Sequence, residues 1–145
     1  MGKPLFQGEQ IFELIPQRPP MVMIDSVLSV SKDAINTCLT VEESNLFVQD
    51  GYLSESGVIE HIAQSAAAMA GYGTYACGHE PRLGYIGEIK KCRFFSLPQV
   101  GQTVCTELNV LGEAAGVTLL SAVSRTEGME VAECQMKIFL EQQPL

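Results

Sequence analysis

Around the segment 57–76 apolar residues occupy nearly every side of a helical wheel: Val58, Ile59, Ile62, Ala63, then Ala66, Ala67, Ala68, Met69 and Ala70. Alanine and methionine favour helix, Ser54 and Ser56 can each cap a start, and Gly71, Gly73 and Gly78 read as stops. The pattern predicts one helix of roughly 15–20 residues, about 25–30 Å long. A helix that is apolar nearly all round has to be enclosed by other elements. The rest of the chain supplies those elements with a different period.

Ile11, Leu14 and Ile15 recur at helical spacing and predict a short helix over 7–15, stopped by Pro16 and the Pro19-Pro20 pair, that acts as a lid or brace. Extended runs over 21–30 and 34–41 flank Ser31-Lys32-Asp33 and predict a hairpin. A polar connection with an Asp50-Gly51 turn then delivers the chain to the long helix. After the break at Gly78-His79-Glu80-Pro81, β-favouring runs over 83–95, 103–111, 117–125 and 129–141 alternate with glycine-containing turns. Two strands, one helix and four strands predict an α+β protein: an antiparallel sheet wrapped around one long central helix. No repeat or linker divides residues 1–145, so one domain is expected.

Within the apolar helix, Glu60 and Gln64 stand four residues apart and share a face. A carboxylate there must face a cleft or be held by partners, because burying it alone is costly. Glu60 is therefore the first catalytic candidate. The plainer alternative is a first-turn acid stabilised by the helix dipole, with its head in water. His61 turns about 100 degrees away from Glu60 and is assigned to a subunit interface. His79 falls in the loop after the helix and reads as a solvent-facing residue. Tyr52, Tyr72, Tyr75 and Phe47 line a tunnel for a small molecule or, alternatively, fill the core.

Composition narrows the function classes. The formal net charge of -8 opposes nucleic-acid binding, which depends on neutralising phosphates. With 46% hydrophobic and 18% charged residues, the chain is apolar for its size, which points to surface buried in a homodimer or larger oligomer. Met1-Gly2-Lys3-Pro4 lacks the apolar core of a signal peptide, and Glu60, His61 and Gln64 would not suit a lipid-spanning helix. The expectation is a cytoplasmic protein without membrane contact. The five cysteines (Cys38, Cys77, Cys92, Cys105 and Cys134) show no Cys-x-x-Cys pair, so reduced thiols are expected, with no metal and no cofactor.

A sheet curled around one helix resembles the hot-dog fold, and three stretches sharpen that likeness. Leu14-Ile15-Pro16-Gln17-Arg18-Pro19-Pro20-Met21-Val22-Met23-Ile24-Asp25 resembles the N-terminal motif of the β-hydroxyacyl-acyl carrier protein dehydratases, a Leu-Pro-His-Arg segment followed by proline, apolar residues and Asp. Glu60-His61-Ile62-Ala63-Gln64 resembles their helix motif, whose Glu is catalytic. Residues 87–101, with Lys90, Lys91, Arg93, Phe94, Pro98 and Gly101, resemble their third strand and Pro-Gly turn. Two positions depart from the family. Gln17 stands where the first motif has His, and Phe47 to Ser54 contains no counterpart of the catalytic His in the family's Gly-His-Phe-Pro segment. That pattern resembles a divergent branch associated with aryl polyene biosynthesis clusters.

The resemblance implies removal of water from a β-hydroxyacyl thioester held on acyl carrier protein by phosphopantetheine. Such chemistry needs a base, an acid and donors for the thioester oxygen. Glu60 fills one proton role. Helix-start N–H groups near Ser56, Gly57 and Val58 suit the oxygen, with Gln64 beside them as a substrate contact. Arg18, Lys91 and Arg93 are candidates for contact with the acidic carrier protein, with Lys91 and Arg93 on one strand face and Lys90 on the other. Two other functions stay open: an acyl thioesterase in which the lone carboxylate activates water, and a noncatalytic acyl-binding partner of a related hot-dog subunit.

Overall fold

Ser54 starts the long helix. Its Oγ accepts from the Gly57 N–H at 3.2 Å, and helix α1 then runs Glu55–Ala76, 22 residues. The computed structural model describes residues 3–78 and 84–140, and in it α1 passes straight through Gly71 and Gly73. Gly71 is a packing site rather than a stop: a methyl group there would land on the backbone carbonyl of Leu14. Helix and preceding loop therefore touch backbone to backbone.

The strands are β1 (Phe6–Gln7), β2 (Ser26–Val30), β3 (Ala34–Thr40), β4 (Val48–Gln49), β5 (Tyr52–Leu53), β6 (Gly84–Phe94), β7 (Thr103–Ala114), β8 (Val117–Thr126) and β9 (Met129–Leu140). Seven of them form one antiparallel sheet in the order β1-β2-β3-β7-β8-β9-β6. Strict alternation sets its inner face: Leu120, Ala122, Ser124 and Thr126 of β8 and Ala132, Cys134, Met136 and Ile138 of β9 are all buried. The apolar ones join Val58, Ile62, Ala66 and Met69 of α1 in one core. The β4–β5 hairpin, turned by Asp50 and Gly51 at positive φ, lies apart from the sheet and braces the helix start. Leu53 and Phe47 fill the space beside Gly57, where a Cβ would lie 2.6 Å from Leu53 Cδ1.

Four expectations need correction. The short N-terminal helix is a 3-10 helix over Gly8–Glu13, closed by an Ile11 carbonyl that accepts from Leu14 and Ile15. Cys38 and Cys105 are not free thiols. The β3–β7 register sets them directly opposite each other and they form a disulfide, a pairing that 67 residues of separation concealed. Lys91 and Arg93 do not continue a regular strand face, because β6 bulges between Lys90 and Arg93 with Lys91 at φ 52°. His61 is not at a surface of any kind but wholly buried. No helix among the described residues is long and apolar enough to cross a membrane.

The sheet ends on β6, an 11-residue edge strand whose side chains are mostly exposed. Tyr85 is 55% exposed, Ile86 41% and Ile89 39%. A long apolar edge of this kind invites another strand, since its outer N–H and C=O groups are unpaired.

Candidate active site

Two side chains of α1, Gln64 and His61, organise the site by gripping the loop before β2. Gln64 Oε1 accepts from the Met23 N–H at 2.6 Å, while its Nε2 donates to the Met21 carbonyl at 2.7 Å and to Glu60 Oε2 at 2.9 Å. Its acceptor and both donors are engaged within the chain, so Gln64 holds Glu60 and the loop at once, and the expected contact with substrate would add to these bonds. His61 holds the same loop from the other side. Its Nδ1–H donates to the Met23 carbonyl at 2.8 Å, which leaves Nε2 to accept from the Thr106 hydroxyl at 2.9 Å. Thr106 in turn accepts from Ser124 at 2.6 Å. Ser65 completes the network by donating to the His61 carbonyl and pairing with Thr37 at 2.7 Å.

Burial pushes the His61 pKa down to about 4, against the Met23 bond that favours the charged form. The unfolded chain, with an ordinary imidazole near 6.5, thus binds a proton that the folded chain refuses between those values. Folding stability is full above pH 6.5 and declines as pH falls toward 4, by up to about 3 kcal/mol. Urea midpoints measured from pH 7 to 4 are expected to fall more steeply for the wild type than for His61→Gln. Equal slopes would remove His61 as the cause. Asp25 works in the opposite direction, since burial raises its carboxyl pKa despite the bond it accepts from the Thr40 N–H.

Glu60 itself is half-buried and opens into a cavity of about 260 Å³. Ala63 and Ala67 continue the helix wall, Gln17 enters from the proline-rich loop, and Gly84, Tyr85 and Ile86 close it from the end of β6. Glu60 is the one carboxyl group among the described lining residues, and no imidazole is among them. At the helix start, the Gly57 N–H is engaged by Ser54 Oγ and the Val58 N–H by the Ser54 carbonyl. Among the described residues, the N–H groups of Glu55 and Ser56 have no such partner, and Ser56 stands one turn before Glu60 on the same face. Leu53 and Phe47 crowd Gly57 so closely that no Cβ would fit there.

The other expected residues separate. Arg18 turns back on its own loop, donating to the carbonyls of Ile15 at 2.7 Å, Gln17 at 2.8 Å and Phe12 at 3.3 Å and covering the Phe12 ring. It braces that loop while remaining exposed. Arg93 is exposed, 3.9 Å from Glu133 and stacked over Phe95, and Lys91 is exposed in the bulge. The Cys92 thiol is pushed up by burial and then by Glu55, which sets the bulge beside the helix start. Of the aromatic residues, Tyr72 lines a second cavity of about 300 Å³ with Ala66, Ala70, Leu120 and Ile138. Tyr75 packs edge-on against Phe6, Phe47 packs at the helix start and Tyr52 accepts from Gln99 at the surface. His79 lies outside the described residues.

Residues 9–144 match the model of a family described as ApeP-like, ApeP dehydratase. The chain belongs to the ApeP-like dehydratase family. Its more distant curated relatives include the 3-hydroxyacyl-[acyl-carrier-protein] dehydratase FabZ of Sodalis glossinidius, 28% identical over 136 residues with 88% of each chain covered. The FabZ of Vibrio atlanticus is 24% identical over 134 residues, covering 88% of this chain and 89% of the relative. Among solved structures, a chain of the dehydratase heterocomplex ApeI:P from Xenorhabdus doucetiae superposes with a TM-score of 0.83 at 18% identity, over 99% of this chain and 94% of that one. A hypothetical thioesterase from Streptococcus pneumoniae, solved with coenzyme A, superposes with a TM-score of 0.64 at 8% identity, over 83% and 88% of the two chains. The fold of this ApeP-like protein is thus the hot-dog fold, α+β with one central helix and a seven-stranded antiparallel sheet.

Proposed function

We propose that the chain is one half of a β-hydroxyacyl thioester dehydratase acting on substrates carried by acyl carrier protein, and that a related hot-dog subunit docked on β6 completes the site. The observation that carries this reading is the meeting of cavity and free edge. Gly84, Tyr85 and Ile86 belong both to the wall around Glu60 and to the strand at the free edge of the sheet. A partner strand laid on β6 brings its own side chains to the mouth of that cavity.

Water loss breaks the C2–H and C3–O bonds and forms the C2–C3 double bond. A base takes the C2 proton, that electron pair becomes the new π bond, and the C3–O pair leaves with oxygen. Glu60 gives the departing hydroxyl its proton and is reprotonated by the conjugate acid of the base, so the protons balance. The base is the group missing from the described cavity wall, and the partner supplies it. The thioester oxygen, which gains negative charge as the C2 proton leaves, is held by the free N–H groups of Glu55 and Ser56 at the positive end of α1. The phosphopantetheine arm enters at that end, passing Lys91 and Arg93, which face the acidic carrier protein. The heterocomplex likeness supports a heteromeric partner, since a second copy of this chain would bring the same wall without an imidazole.

Mixing the chain with a related histidine-bearing hot-dog subunit is expected to give a stable complex that forms the enoyl thioester at least 100-fold faster than the chain alone. Ile89→Lys, at the exposed edge, is expected to abolish the complex and leave the fold intact. Full activity of the isolated chain would overturn the half-site reading. Release of free acid instead of enoyl product would replace it with thioester hydrolysis.

A further inference from the structure

Gln17 Oε1 is a buried side-chain acceptor for which the described residues hold no hydrogen-bond partner. Such an atom is costly to leave unpaired, and a buried orphan in a folded protein calls for an explanation, a bound water, ion or ligand among them. The side chain lines the Glu60 cavity. Its backbone is fixed from both sides: Arg18 holds the carbonyls of Ile15 and Gln17, and Gln64 and His61 pin Met21 and Met23 a few residues on. The amide is therefore presented on a braced loop. Glu60 is braced in the same way, by Gln64.

We infer that Gln17 reads the β-hydroxyl of the substrate, accepting its O–H while Glu60 protonates the same oxygen. The inference rests on the dehydratase reading and extends it to specificity. A C3 hydroxyl beside a carboxylic acid receives a proton on its lone pair and still has its own hydrogen to place. Gln17 Oε1 is the acceptor for that hydrogen. When the C3–O bond breaks, the departing water carries two hydrogens and needs two acceptors. The newly formed Glu60 carboxylate takes one and Gln17 the other. A saturated acyl chain offers neither hydrogen, so it leaves Gln17 unpaired and binds less well. Gln17 is then a substrate-contacting residue for discrimination, separate from the proton transfer itself.

Calorimetric binding of two pantetheine thioesters of equal chain length, one with a 3-hydroxyl and one without, tests this on the purified chain and on the complex. The wild type is expected to prefer the hydroxylated probe by about fivefold to tenfold. Gln17→Met, close to glutamine in shape but without its amide, is expected to equalise the two affinities by weakening only the hydroxylated probe. Gln17→Glu, which keeps an acceptor, is expected to retain the preference. Glu60→Gln abolishes turnover yet keeps the preference, so loss of the dehydratase reading and loss of this one show in different columns. Equal affinity for both probes in the wild type would overturn the assignment. So would an undiminished preference in Gln17→Met, or an equal drop for both probes, which would make Gln17 a scaffold residue only.

Discussion

Glu60→Gln, assayed in the assembled complex, is expected to lose water-eliminating activity by about 10²–10⁴-fold while substrate binding changes little. The substitution is nearly isosteric. Gln64 Nε2, which donates to Glu60 Oε2 at 2.9 Å, can donate to the new amide oxygen in the same place. Because Glu60 is half-buried and accepts that bond at the cavity wall, the fold should tolerate the change within about 1 kcal/mol. What disappears is a proton that can be given to the departing hydroxyl and recovered. Glu60→Asp gives a second reading of the same chemistry, since it keeps the acid but draws it back by one methylene along the helix. An intermediate rate is expected there, because a misplacement of about 1 Å can cost 10²-fold. Appearance of the enoyl thioester chromophore measures both. Equal rates for wild type and Glu60→Gln would remove Glu60 from the reaction and leave this chain as a noncatalytic, acyl-binding half of its complex.

The elements that the sequence shows most plainly are those whose side chains repeat without tertiary help. Strands β7, β8 and β9 follow from alternation between glycine-containing turns, and their bounds shift by three residues or fewer from the pattern. The long helix is legible from its alanine run, and the pairing of Glu60 with Gln64 from their spacing of four. Contacts made across elements were out of reach. Gly71 reads as a helix stop, yet its lack of a Cβ admits the Leu14 carbonyl, which no local pattern encodes. His61 reads as an outward neighbour of Glu60, but the 100 degrees between them point it at Met23 and Thr106 in the core. The Cys38–Cys105 pair exists only once the β3–β7 register is known. For Gln17 a signal was present in the sequence: it stands at the histidine position of a motif next to the glutamate motif. That its acceptor is buried without a partner, on a side chain that lines the same cavity as Glu60, required coordinates.

Gly71→Ala is expected to destabilise the chain by about 3 kcal/mol, although alanine is the better helix former by about 1 kcal/mol. The atoms in the way of the new methyl are Leu14 O, C and Cα, which are backbone and cannot rotate aside. Leu14 and its neighbour Ile15 are fully buried, and Arg18 ties the Ile15 carbonyl to the next turn of the loop, so the whole segment has to move outward. Gly73, two residues on, provides the control. It is exposed, and a Cβ there meets nothing within 4 Å, so Gly73→Ala should stabilise by roughly 0.5–1 kcal/mol through helix propensity alone. Thermal unfolding should separate the two variants, with Gly71→Ala lower than wild type by roughly 6–12 °C and Gly73→Ala slightly higher. Activity should follow the same contact, because Gln17 enters the cavity from the loop that Leu14 anchors. Below its melting temperature Gly71→Ala is therefore expected to lose its preference for the hydroxylated probe as well. If the two alanine variants melted together, the close approach of helix and loop would not be what fixes that loop in place.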